Sequence, residues 1–149
     1  MNLETLLAER EIYRLISQFA RAMDDRDWER LASILTEDAR AEMGAGPLEG
    51  RDAIVASIRS YLDVCGPTQH LLGNLLVEVD GDTAVSRCYV SDMHLGAGPK
   101  SHLTFRTLGD YHDRWRKIDG RWRMVERRKY NHAHVGTLEV FEPRPQGAR

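Results

Sequence analysis

With 149 residues, 42% hydrophobic and 30% charged, the chain suits one compact domain around a single sizeable core and leaves little room for two. A formal charge of −2, with Lys and Arg scattered rather than in blocks, argues against nucleic acid and anionic membrane as partners. No apolar run approaches the roughly 20 residues that span a bilayer, and the acidic, amphipathic start MNLETLLAER is unlike a secretory signal, so a cytoplasmic protein is expected.

The first element is an amphipathic helix over residues 4–24, with Ile12, Leu15, Ile16, Phe19, Ala20 and Met23 spaced by three or four. Counted at about 100° per residue from Ile16, Phe19, Ala20 and Met23 form the buried stripe. Asp24 falls at its edge, and Asp25 points to the opposite side. The helix C-terminus is negative and disfavours a carboxylate, raising its pKa, so Asp24 invites a functional question beyond a surface pairing with Arg26 or Arg30. Asp27 is a natural N-cap for a short second helix, WERLASIL, and residues 36–38 break that pattern. A short strand is expected at 39–43, then the loop GAGPLEG, then a third helix, RDAIVASIRSYLDV, ended by Cys65-Gly66-Pro67.

From Thr68 the period changes from 3.6 to 2. Alternating runs follow, joined by turns at Asp80-Gly81 and Asp119-Gly120, which are hairpin signals. Helices followed by an antiparallel meander predict an α+β fold with the helices on one face of a curved sheet. The domain is expected to span 1–135. The tail, 136–149, is expected to be partly disordered or to cross to a neighbour at an oligomer interface.

Candidate chemistry lies on the strands. In TQHLLGN, strict alternation puts Leu71, Gly73, Leu75, Val77 and Val79 on one apolar face. His70, Leu72, Asn74, Leu76 and Glu78 then form a mixed face that reads as a pocket wall. An Asp24–His70 pair would fix the imidazole tautomer and make a general base. On the last strand Trp122, Met124, Glu126 and Arg128 alternate with Arg123, Val125 and Arg127 unless a bulge intervenes, and a pocket arginine would steady negative charge. His132 and His134 have strand spacing for metal ligation, but no neighbouring carboxylate or cysteine completes a set, and no metal is expected. His94, Asp92 and His112 are weaker pocket candidates. The GAGP segments at 44–47 and 96–99 lack phosphate-loop context, and Cys65 and Cys88 lack CxxC spacing and read as free thiols.

Over roughly residues 5–135 the chain resembles the SnoaL-like branch of the nuclear transport factor 2-like superfamily. The resemblance is carried by EIYRLISQFARAMDDRDWERLASILTEDA, GRDAI, TQHLLGNLLVEVDGDTAVSRCYV and IDGRWRMVERR. It implies a cone-shaped α+β barrel, three N-terminal helices packed on a curved, mainly antiparallel sheet. Lyase members such as hexachlorocyclohexane dehydrochlorinase, bile acid 7α-dehydratase and scytalone dehydratase imply pairing of Asp24 with His70, with Arg127 as pocket arginine and Arg128 second. The tyrosine that the dehydratases carry one turn before the aspartate is Phe19 here, leaving Tyr13, Tyr89 or Tyr111 as alternative phenols.

The expected function is a cofactor-independent lyase or isomerase acting on a hydrophobic cyclic small molecule. His70 would remove a proton, Asp24 would orient it, and Arg127 with Asn74 would steady the developing charge. Phe19, Met23, Leu72 and Leu76 would exclude water, with Tyr111 and Arg128 as further substrate contacts. Self-association as a homodimer or homotrimer through the outer sheet face is expected from the resemblance. The alternative is a non-catalytic small-molecule binding protein, or a partner subunit resembling the β subunits of ring-hydroxylating dioxygenases.

Overall fold

The computed structural model describes residues 1–142. In chain order the elements are α1 (Leu3–Asp25), α2 (Trp28–Ile34), β1 (Leu35–Glu42), β2 (Pro47–Glu49), α3 (Arg51–Leu62), β3 (Thr68–Asp80), β4 (Thr83–Leu95), β5 (Thr104–Ile118) and β6 (Arg121–Gly136). Short 3-10 turns cover Gly98–Lys100 and Leu138–Phe141. Two expectations need correcting here. The first strand begins at Leu35 rather than 39, and the expected loop contains β2, whose Leu48 pairs with Ala41.

Local chemistry accounts for the helices. Asn2 caps α1 by accepting from the Thr5 N–H at 2.8 Å, and Asp27 caps α2 by accepting from Arg30. α1 buries Ile12, Ile16, Phe19, Ala20 and Met23 against the sheet and stops where Arg26 turns left-handed, at φ 57°.

The six strands run in the order β2-β1-β6-β5-β4-β3. β1 lies parallel to β6 and every other pairing is antiparallel. The helices cover the concave face, and the core between them includes Ile12, Ile16, Phe19, Leu31, Ile54, Trp115, Trp122 and Met124. Trp115 satisfies its indole N–H on the Ser86 hydroxyl at 2.8 Å. Cys65 and Cys88 are unpaired. Among the described residues no helix is long and apolar enough to cross a membrane.

Three bulges curl this sheet into a cone and decide what faces inward. On β3, Gly73 pairs with Tyr89 but Leu76 with Arg87, and the extra residue is Asn74 at φ 53°. Beyond it Leu75, Val77 and Val79 turn inward while Leu76 is 65% exposed. On β6 one register shift makes Val125 the extra residue, so Trp122 and Met124 point inward and then Arg127, Lys129 and Asn131 do too. A second shift makes His132 the extra residue, which sends it and His134 to different surroundings.

After β6 the chain folds back on itself. Gly136 turns at φ 97°, where an added Cβ would fall 2.0 Å from the Thr104 carbonyl oxygen. Val140 and Phe141 then bury against their own chain, and the Lys100 ammonium donates to the Glu139 and Glu142 carbonyls at 3.2 and 2.8 Å. The rest of the expected tail, 143–149, lies outside the described residues.

Candidate active site

The junction between α1 and β3 is held by one side chain. The Arg26 guanidinium donates to the carbonyls of Met23 (2.8 Å), Leu62 (3.1 Å) and Gly66 (2.9 Å) and to the Thr68 hydroxyl (2.8 Å). It adds a second donor to the carbonyls at the ends of α1 and α3 and ties the start of β3 to them beside Asp24. Thr68 passes its own hydroxyl proton to Asp24 Oδ1 at 2.9 Å, and the His70 backbone N–H donates to Asp24 Oδ2 at 3.0 Å.

Into this cradle His70 turns its ring, with Nδ1 2.7 Å from Asp24 Oδ1. Burial of Asp24 works against its charge, but hydrogen bonds from the His70 ring, the His70 N–H and Thr68 outweigh it and hold the carboxyl below the ordinary carboxylate range. The macrodipole expectation of a raised pKa is therefore corrected: three close donors override a diffuse partial charge. With Asp24 ionised, Nδ1 is the donor of this hydrogen bond, and Nε2 is the ring atom left for the space beyond.

That space is a cavity of about 360 Å³ between the sheet and the helices. Met23, Met43, Leu48, Ile58, Leu62, Phe105 and Phe141 supply its apolar wall. His70, His94, Asp92, Thr107, Lys129 and Asn131 supply a polar side. His94 stands edge-on to His70, with centroids 5.4 Å apart, and its Nδ1 donates to the Phe105 carbonyl at 3.1 Å. Burial pushes the His94 pKa down to about 4 even though Asp92 pulls the other way, so the ring is neutral at neutral pH. Asp92 accepts from the Thr107 N–H (2.8 Å), the Thr107 hydroxyl (2.7 Å) and the Lys129 ammonium (2.6 Å). Burial opposes its ionisation, but Lys129 prevails and holds the carboxyl below its usual range.

Several expected site residues lie elsewhere. Arg127 faces inward yet does not line the cavity: its guanidinium forms a two-pronged pair with Asp113 at 2.7 and 2.9 Å, between the rings of Phe19 (4.3 Å) and Tyr111 (3.7 Å). Burial disfavours that cation, but Asp113 raises its pKa well beyond the ordinary arginine value. Phe19 is thus core beneath this pair rather than a cavity wall. Leu72 packs with Tyr13, Leu75 and Cys88 around a separate small hollow. Asn74 is the bulge residue, and Leu76 faces out after it. Arg128 is exposed and pairs with Glu126 at 3.3 Å. Met23 and Tyr111 do line the cavity, with Tyr111's phenol kept protonated by burial. His112 and His132 lie near Asp110, at 3.3 and 3.9 Å, away from the cavity lining.

Sequence reasoning passed over Lys129, Thr107, Asn131, Met43 and Phe141. Lys129 follows two arginines and reads as surface charge; only the bulge at Val125 brings it inside. For metal, the donors that converge are not His132 and His134. Ring nitrogens of His70 and His94 and an Asp92 oxygen lie within 4.8 Å of one another, a donor set suited to a divalent ion. Asp24 and the Phe105 carbonyl hold only the Nδ1 atoms of the two rings, whereas both Asp92 oxygens are already taken by Thr107 and Lys129.

A cone of helices and curved sheet, with an acid–imidazole pair at one side of an apolar hollow, is an NTF2-like arrangement. Residues 4–128 match the SnoaL-like domain, and the chain belongs to that family. It is 36% identical over 121 residues to Rv2910c, an uncharacterized protein of Mycobacterium tuberculosis (strain H37Rv), covering 78% of this chain and 80% of the relative. Among solved structures it is similar to Rv3472 of Mycobacterium tuberculosis, of unknown function (29% identity, TM-score 0.75, 86% and 73% of the two chains). It also shares the fold of hexachlorocyclohexane dehydrochlorinase LinA-type3 from Novosphingobium barchaimii LL02 (20% identity, TM-score 0.81, 92% and 94%).

Proposed function

We propose that the protein is a cofactor-independent lyase or isomerase that removes a proton from a hydrophobic cyclic small molecule. The observation that carries this reading is the 2.7 Å Asp24–His70 contact behind a ring that lines a cavity of about 360 Å³. His70 Nε2 takes the proton, and Asp24 stays ionised and balances the imidazolium. Leu48, Ile58, Leu62, Phe105 and Phe141 keep water from competing for the base. Arg127 is a positioning residue here: closed on Asp113, it supports the Tyr111 ring that forms part of the wall. Membership of the SnoaL-like family and the fold shared with a dehydrochlorinase support elimination or isomerisation over other chemistries.

The test is a mass-spectrometric screen of cyclic alcohols, halides and ketones for loss of water, loss of HX or isomerisation, with wild type, His70→Ala and Asp24→Asn compared. Removing a positioned base lowers turnover by about 100- to 10,000-fold. Full turnover in His70→Ala would overturn the assignment.

The same reading includes self-association as a dimer or trimer through the outer sheet face, where Leu71, Tyr89, Leu108 and Tyr130 are exposed on neighbouring strands. Light scattering giving a monomer would contradict this part.

A further inference from the structure

Lys129 has no part in the dyad step, yet the fold goes to some length to place it. Its ammonium sits 2.6 Å from Asp92 Oδ2 and 2.8 Å from the Thr107 hydroxyl, with the side chain only 12% exposed. Thr107 hands its own hydroxyl proton on to Asp92 Oδ1, so lysine, threonine and aspartate close a ring of hydrogen bonds that fixes the nitrogen. The stem reaches this point by lying across Gly109, where an added Cβ would fall 2.7 Å from Lys129 Cε and 2.8 Å from Val90 Cγ1. Any larger residue at 109 would displace the lysine.

An ammonium has three N–H donors, and two are taken by Asp92 and Thr107. One donor suits one oxygen atom; a carboxylate would want two. Charge points the same way. The Lys129 cation is already balanced by Asp92, 2.6 Å away, so it offers a neutral oxygen a hydrogen bond without offering an anion a net positive charge. The cation also stands near the base, because Asp92 is within reach of both: one of its oxygens lies within 4.8 Å of a His70 ring nitrogen, and Oδ2 lies 2.6 Å from Lys129.

We propose that Lys129 is the oxygen-binding residue of this site, donating its remaining N–H to the carbonyl of a neutral cyclic ketone or enone whose acidic C–H faces His70. The inference rests on the dyad reading above and narrows its substrate class. The C–H bond breaks, its proton goes to His70 Nε2, and the electron pair moves onto the carbonyl oxygen. That enolate oxygen accepts the Lys129 hydrogen bond. Collapse of the enolate completes the step: either His70 returns the proton to carbon, or a β-substituent leaves with its bonding electron pair and takes the His70 proton away as HX or water. A charge-assisted hydrogen bond that strengthens as the oxygen becomes negative favours this transition state over the bound ketone.

Three matched probes test the oxygen site without knowledge of the natural substrate: 1-tetralone, its hydrocarbon tetralin, and 1,2,3,4-tetrahydro-1-naphthoate. Binding is followed by NMR titration, and solvent deuterium exchange at C2 of 1-tetralone reports the base. The variants are Lys129→Met, the double variant Lys129→Met/Asp92→Asn, which keeps the pair neutral if the single change impairs folding, and His70→Ala. Wild type should bind the ketone at least about 10-fold tighter than tetralin or the carboxylate, and the lysine variants should lose that preference. His70→Ala should keep the preference and lose the exchange. A wild type that binds no ketone, or prefers the carboxylate, overturns the inference, as does a ketone-to-tetralin ratio unchanged in both lysine variants. Exchange that persists in His70→Ala, or fails in a ketone-binding wild type, counts instead against the dyad while leaving the oxygen site standing.

Discussion

Two buried ion pairs lie two residues apart on the same face of β6, and they do different things. Arg127 meets Asp113 with two parallel hydrogen bonds and has an aromatic ring on each side; both side chains are essentially sealed, at 2% and 1% exposure. Lys129 meets Asp92 through one N–H, shares another with Thr107, and borders the cavity. A buried cation closed on a carboxylate and sealed between two rings is a piece of scaffold. One with a donor to spare, beside a base, is a place for a ligand. The contrast also shows why a pocket arginine is easily assigned in the wrong place: inward pointing is necessary for a binding role but not sufficient.

The comparison can be broken most sharply at Arg127. Arg127→Met leaves Asp113 charged and unpaired in the core and should cost about 3–5 kcal/mol of stability by urea denaturation. The next effect belongs to the open side. His94 has its pKa pushed from the ordinary 6.5 down to about 4, so the folded state binds fewer protons than the unfolded chain between those values. Its contribution is fully present above pH 6.5 and is lost as pH falls toward 4, up to about 3 kcal/mol. The groups facing it are Asp92, His70 and Lys129, and denaturation at pH 7 and 4.5 should show a steeper acid loss for wild type than for His94→Asn.

Lys129→Met should cost less than the arginine change, about 1–3 kcal/mol, because Asp92 keeps the hydrogen bonds from the Thr107 N–H and hydroxyl when the lysine is gone. A loss equal to that of Arg127→Met would erase the distinction between the two pairs. The smallest expected change lies at the bulge that turns Leu76 outward. Asn74→Gly relieves a left-handed backbone at φ 53° and should shift stability by no more than about 1 kcal/mol, with ligand binding unchanged.

How far the sequence could be read follows from which forces are local. The stripe of α1, the Asp27 cap and the two Asp-Gly turns depend on near neighbours in the chain, and the same logic placed Asp24 at the edge of the buried face. The strand faces depend on bulges, each of which reverses every residue after it. Gly73-Asn74 was a visible signal for the first, since both residues favour turns and left-handed backbone. Val125 and His132 carry no such mark; their register comes from pairing with β5. Lys129 was hidden twice, by the bulge that turns it in and by Gly109, whose missing side chain makes the path. The Asp113 partner that closes Arg127 is likewise a cross-strand neighbour that a single strand cannot reveal.

The central claim, a base aligned by Asp24 with its free nitrogen turned to the cavity, is tested most directly by 15N NMR of the histidine rings near pH 7. The account predicts that the neutral form of His70 carries its proton on Nδ1 and leaves Nε2 bare, and that Asp24→Asn abolishes this tautomer preference. A neutral His70 protonated on Nε2 in the wild type, or a tautomer unaffected by Asp24→Asn, would contradict it.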